Sequence, residues 1–163
     1  MASHREQVGN AGAPVALARR TVSIPDSAEL QRGLSAGLRY RLALDSFFGA
    51  SHSIRPNGEK HTHSYRVQAV FVTERVDENG MVAGFREVLN LLEREAKKFA
   101  NRYLNELYPF TEVQPTGENV AAVIFRELDA ALLEEMPGGP ILVSVTLWEN
   151  PTVSVTVERR ELA

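Results

Sequence analysis

The sequence contains no cysteine. Disulfides, thiolate metal ligands and cysteine nucleophiles are therefore excluded, and any metal must be held by nitrogen or oxygen. A chain without disulfides fits the cytoplasm, which is the expected location. Positive charge is not in excess either: 18 Lys and Arg stand against 21 Asp and Glu, for a net charge of −3. The basic residues are scattered, so the electrostatic footprint of a nucleic-acid-binding protein is missing. No run approaches the roughly 20 apolar residues that a membrane-spanning helix needs. The first twenty residues, MASHREQVGNAGAPVALARR, lack the apolar centre of a secretory signal. The expected partners are therefore a small-molecule substrate and further copies of the chain, with neither nucleic acid nor membrane.

What is present reads as one ordinary domain. Apolar residues make up 44% and charged residues 24% of 163 residues, enough chain to bury a core. Residues 1–20 lack periodicity and read as a flexible tail; residues 21–163 read as a single domain with a short extension at 21–37. Within it PDSAELQRGLSAG has a cap in Asp26 or Ser27 and a stop in Gly37, the marks of a short helix. From Leu38 the pattern alternates, and LRYRLALDSFFGA predicts a strand. HTHSYRVQAVFVTERV predicts a second, ending at the turn signal Asp77-Glu78-Asn79-Gly80.

Two helices follow. FREVLNLLEREAKKFANRYL carries Phe85, Val88, Leu89, Leu92, Ala96 and Phe99 at helical spacing. ENVAAVIFRELDAALLEE carries Val120, Val123, Ile124, Leu128 and Ala131, with Thr116 placed as N-cap. ILVSVTLWE and TVSVTVERR then predict two strands joined at Asn150-Pro151. The order β-β-α-α-β-β predicts an α+β fold: an antiparallel four-stranded sheet with two helices on one face.

Histidine is also scarce, with four in the chain, yet His52, His61 and His63 fall within twelve residues. His61 and His63 are two apart on a strand, so they share a face, and Tyr65 continues it. His52 ends the preceding strand, and antiparallel pairing brings it alongside. Three imidazoles with a fourth position open is the layout of a catalytic zinc site, so Zn2+ is the expected cofactor.

The stretches FFGASH and HTHSY resemble the 6-pyruvoyl-tetrahydropterin synthase and 6-carboxytetrahydropterin synthase family, as do GMVAGF at 80–85, RYLNEL at 102–107, PTGEN at 115–119 and LWEN at 147–150. The resemblance covers roughly residues 40–158. It implies the tunnelling fold, whose subunits form trimers with a barrel of sheets, two trimers stacking into a hexamer with sites between subunits. It implies that His52, His61 and His63 hold zinc, and that Glu149, Glu118 and the neighbouring Thr116 line the substrate pocket. The residues have plainer readings too: Glu118 complements a helix dipole in its first turn. Glu149 continues the face expected for Ile141, Val143, Val145 and Leu147, where a charge needs a partner.

The chain departs from the family in its proton-transfer groups. The family's cysteine before the His-x-His has no counterpart in Pro56-Asn57-Gly58-Glu59-Lys60. Ala100 and Asn101 stand where the family has Asp-His, and Gly84 where it has Asp. Glu59, two residues before His61, and Tyr103, near the lost pair, are the candidate replacements as catalytic acid and base. The resulting expectation is a diverged zinc enzyme of lyase, aldolase or cyclase type, acting on a pterin or other carbonyl compound. The alternatives are a standard synthase with displaced catalytic groups, and a non-catalytic binding protein with structural zinc.

Overall fold

The computed structural model describes residues 26–54, 57–82 and 84–160. The expected tail at 1–20 lies outside the described residues. The elements are α1 (Ser27–Ser35), β1 (Tyr40–His52), β2 (His61–Thr73), α2 (Phe85–Lys97), β3 (Arg102–Tyr103), α3 (Gly117–Glu135), β4 (Ile141–Asn150) and β5 (Val153–Glu158), with a 3-10 turn at Leu104–Glu106. The fold is α+β, as the alternation and helical spacing predict. The sheet is mixed, however, and has five strands rather than four, in the order β3-β1-β2-β4-β5.

The fifth strand comes from residues expected to continue a helix. α2 stops at Lys97, and Asn101 takes a left-handed conformation at φ 59°. Its amide donates to the Gly49 carbonyl at 2.6 Å, which draws the chain onto β1. Arg102 and Tyr103 then pair in parallel with Ala50 and Ser51. An asparagine tolerates this backbone where most residues do not, so the break is local chemistry rather than packing.

β1 and β2 pair along their whole length, from Tyr40↔Thr73 to His52↔His61. One face of the sheet packs on α2 and α3. It presents Leu44, Phe48, Tyr65, Val67, Ala69, Phe71, Leu142, Val145 and Leu147, all buried. Each large apolar side chain so buried contributes about 1.5–3 kcal/mol. The face expected on β4 is corrected at one point. Val70 pairs with Ser144 but Phe71 with Leu142, so Val143 is an extra residue. This bulge turns Leu142 inward and leaves Ile141 56% exposed, instead of continuing the alternation back from Leu147.

α3 is capped as expected, the Thr116 hydroxyl accepting from the Asn119 amide at 3.3 Å. α2 is rolled relative to its expected stripe. Val88, Leu91, Leu92, Ala96 and Phe99 are buried, whereas Phe85 is 40% exposed. The roll takes Glu95 into the interior. α1 begins where expected, with the Asp26 side chain accepting from the Glu29 amide at 2.7 Å, and buries none of its residues.

Candidate metal and ligand site

β1 and β2 together deliver the histidines to one end of the sheet. His52 and His61 are directly opposite in the ladder, and His63 lies two residues further along the same face. The end of β1 is held by Asn105, whose side chain accepts from the Ser53 amide at 2.9 Å and donates to the Ser53 carbonyl at 2.8 Å. His52 is 3% exposed. Its Nδ1 lies 2.7 Å from the Pro115 carbonyl oxygen. A carbonyl only accepts, so Nδ1 carries the proton and Nε2 keeps its lone pair free.

The His52 ring centroid lies 5.0 Å from His63 and 6.3 Å from His61; His61 and His63 are 6.4 Å apart. The donor set is all imidazole nitrogen, which suits zinc. As placed, no set of three or more His, Cys, Asp or Glu side chains among the described residues converges enough to hold a metal ion. The wider spacings both involve His61, which is exposed at the first position of β2, whereas His52 is fixed from behind.

Glu149 reaches the same neighbourhood from β4. Trp148 pairs with Arg66, so Glu149 stands beside Tyr65. Its Oε1 lies 3.3 Å from where a Cβ on Gly117 would sit, at the first turn of α3. The segment Pro115–Gly117 therefore touches both His52 and Glu149. A carboxylate at a helix N-terminus is favoured by the backbone dipoles there.

Tyr65 lies between these parts and is completely buried. Its ring stacks on Phe48 at 5.0 Å and lies 5.5 Å from His63 and 6.2 Å from His52. Burial, and then the negative charge of Glu149, push its phenol above the ordinary range, so it is a neutral O–H donor. That hydroxyl has no hydrogen-bond partner among the described residues. An unsatisfied buried donor costs about 1–3 kcal/mol.

The remaining expected residues are placed differently. Thr116 is adjacent to the site, but its hydroxyl serves as the α3 cap. Glu118 and Glu59 are exposed. Tyr103 sits in β3 beside Ser51, next to His52, and the Lys60 ammonium lies 4.7 Å from its ring centroid. Lys60, Asn105 and the Pro115 carbonyl escaped the sequence reading. Lys60 could have been found from its place before His61; a backbone carbonyl leaves no signature in residue type.

A cleft of about 1020 Å³ lies elsewhere. It lies by Arg41, Leu132, Met136 and Ile141. Arg41 is eleven positions along β1 from His52, roughly 35 Å away. This cleft is therefore separate from the histidine cluster.

A family model described as 6-pyruvoyl tetrahydropterin synthase matches residues 41–160. The chain belongs to the 6-pyruvoyl tetrahydropterin synthase family. A curated sequence from Archaeoglobus fulgidus, provisionally assigned as a 6-carboxy-5,6,7,8-tetrahydropterin synthase, is 33% identical over 90 residues. That match spans 53% of this chain and 74% of the relative. The solved 6-pyruvoyl tetrahydropterin synthase of Caenorhabditis elegans superposes with a TM-score of 0.66 at 20% identity, over 76% of this chain and 97% of that one. The Plasmodium vivax enzyme gives 0.60 at 16% identity, over 75% and 98%. These structures show the same fold, and the matched region contains all three clustered histidines. No helix among the described residues is long and apolar enough to cross a membrane.

Proposed function

We propose that this member of the pterin synthase family is a zinc-dependent, lyase-type enzyme of the cytoplasm. Its substrate is a pterin or another carbonyl-containing small molecule, and His52, His61 and His63 hold the metal. The observation that carries the reading is the hydrogen bond from His52 Nδ1 to the Pro115 carbonyl. It fixes the tautomer and leaves Nε2 unprotonated on a ring whose centroid is 5.0 Å from His63 and 6.3 Å from His61. A carbonyl behind one nitrogen is the arrangement that backs metal-bound histidines. Reorientation of the exposed His61 ring would complete the set. Zinc held there would polarise a substrate carbonyl or lower the pKa of a bound water or alcohol.

The chain's own groups supply the rest. Glu149, half-buried at the end of an apolar row, accepts from the N–H edge of the ligand. Thr116 and Glu118 flank that edge at the start of α3. Glu59, exposed on the loop before His61, takes the proton that the family's absent cysteine would take. Tyr103 carries a hydroxyl close to His52, with Lys60 over its ring. In Plasmodium vivax the substituted catalytic residue of a solved variant is a glutamate, so a catalytic carboxylate has a precedent on this fold.

Assembly into trimers or hexamers, with sites between subunits, belongs to the same reading. Among the described residues β3 covers only Ala50 and Ser51 of β1, so the outer edge of β1 from Tyr40 to Gly49, like that of β5, is left without a strand partner. Open edges are templates for pairing with another copy.

Metal analysis of protein purified without chelators tests the core of the proposal. About one zinc per chain is expected, with activity lost on chelation and restored by zinc. Zinc-free protein, or activity indifferent to chelation, would overturn it. A second reading, a 6-pyruvoyl- or 6-carboxytetrahydropterin synthase with displaced acid–base groups, is favoured by the Archaeoglobus relative. Turnover of dihydroneopterin triphosphate by the zinc-loaded protein distinguishes it.

A further inference from the structure

Among the described residues, the Tyr65 hydroxyl is a buried polar group at this end of the sheet that has no hydrogen-bond partner and no role in the reading above. Its neighbours narrow what it can do. Phe48 offers only a ring face. His52 has spent Nδ1 on Pro115, and its other nitrogen and the ring of His63 are reserved for the metal in the reading above. The remaining acceptor is the carboxylate of Glu149, which stands across from Tyr65 one position beyond the Arg66–Trp148 pair. That carboxylate now rests with Oε1 against the backbone of Gly117, and Tyr65 is left unbonded.

We propose that Tyr65 is a positioning residue for Glu149: when a ligand is seated, the Tyr65 hydroxyl donates to one carboxylate oxygen and turns the other toward the ligand's N–H edge. A carboxylate has lone pairs enough for both bonds. The hydroxyl is already desolvated, so forming this bond costs no further loss of water, and a bond to a charged acceptor is stronger than one to a neutral group. The free chain carries an unsatisfied donor, and ligand binding satisfies it. This inference rests on the proposed role of Glu149 as the ligand-facing carboxylate.

Tyr65→Phe separates this from a packing role, because the ring stays and only the oxygen goes. Binding of pterin would be followed by its own fluorescence in four zinc-loaded proteins: wild type, Tyr65→Phe, Glu149→Gln and the double variant. Thermal midpoints and zinc content would be measured alongside. Tyr65→Phe is expected to weaken pterin binding by about tenfold. Its zinc content should be unchanged and its metal-free thermal midpoint equal to or above that of wild type. In the Glu149→Gln background the same substitution should have no further effect. The proposal alone is overturned if wild type binds pterin and Tyr65→Phe binds it equally well. It is also overturned if the loss repeats undiminished without Glu149, or if the midpoint or zinc content falls. If wild type does not bind pterin, the role of Glu149 fails and the proposal fails with it.

Discussion

Two buried polar side chains lie on opposite sides of the same core and are treated in opposite ways. Glu95, on α2, is as deeply buried as a leucine, at 2% exposed. Arg94 Nε donates to its Oε1 at 3.1 Å, and the Lys98 ammonium pairs with Oε2. Both cations reach on to α3, Arg94 to Glu135 at 2.7 Å and Lys98 to Glu127 at 2.8 Å. Burial pushes the Glu95 carboxyl up, but the hydrogen bonds from Lys98 and Arg94 outweigh it and hold the group below its ordinary range. Tyr65, on β2, is buried just as fully and has no partner among the described residues. The first arrangement joins two helices. The second is left unbonded, as the proposed ligand site requires. A buried polar group therefore has to be read with its partners before it is assigned to structure or to function.

The comparison predicts that changes at the histidine end cost function, while changes in the helix pair cost stability. The largest effect should come from His52→Ala. It removes one of three proposed metal ligands and leaves the Pro115 carbonyl without its donor. Zinc affinity should fall at least about 100-fold, since loss of even an outer partner of a ligand costs 10–100-fold. Competition titration with a zinc-binding dye reads this. Wild-type affinity in the variant would remove the histidine end from the functional side of the comparison.

Next comes Glu95→Ala, which should leave zinc content and ligand binding unchanged. Breaking a fully buried ion pair costs about 3–5 kcal/mol. Here Arg94 and Lys98 are each about half exposed, at 50% and 51%, and can regain water. The expected loss is therefore about 1–2 kcal/mol, or about 3–8 °C in thermal midpoint for a chain of this length. An unchanged midpoint would mean that the charge cluster ties nothing together.

How much of this contrast was readable beforehand follows from the range of the interactions involved. Period-two spacing put His61, His63 and Tyr65 on one face, and the loop between the strands is short enough to fix the pairing that brings in His52. Thr116 was recognisable because capping is local. The β4 bulge was not, because the extra residue at Val143 answers to the partner strand. Nor was the burial of Glu95, since it depends on how α2 rolls against α3. The parallel strand at Arg102–Tyr103 depends on a contact with Gly49, far back along the chain. The Pro115 carbonyl is a backbone atom, and no residue-type pattern points to it.

A smaller effect lies in pH. The folded pKa of Glu95 is below its ordinary 4.5, so it binds a proton less readily folded than unfolded. Its contribution is complete above about pH 4.5 and fades as the pH falls toward the folded value. Lys98 is shifted the other way. Burial lowers it, the bonds to Glu127 and Glu95 raise it further, and its contribution holds below about 10.5 and fades above. Wild type and Glu95→Gln should therefore differ most in thermal midpoint between these limits, and the difference should shrink as the pH falls below about 4.5. A difference that does not shrink as the pH is lowered until the protein unfolds would show that the charge on Glu95 is not what matters.

The smallest effect sharpens the site itself. Gly117 is the first residue of α3, and an added Cβ would lie 3.3 Å from Glu149 Oε1 and 3.5 Å from Val155 Cγ1. The first of these is tight, and the carboxylate is the part free to move. Alanine also favours a helix over glycine by about 1 kcal/mol in the interior and by less at the first turn. Gly117→Ala should therefore change stability by no more than about 0.5 kcal/mol. The carboxylate, displaced from the helix start, has Tyr65 as its nearest alternative partner. If Tyr65 positions Glu149, pterin binding in this variant should be retained or improved, because the substitution pushes the carboxylate toward the seat that the ligand needs. If the Gly117 seat is the one used in binding, affinity should fall instead. The direction of that change tells which side of Glu149 holds it when the ligand is bound.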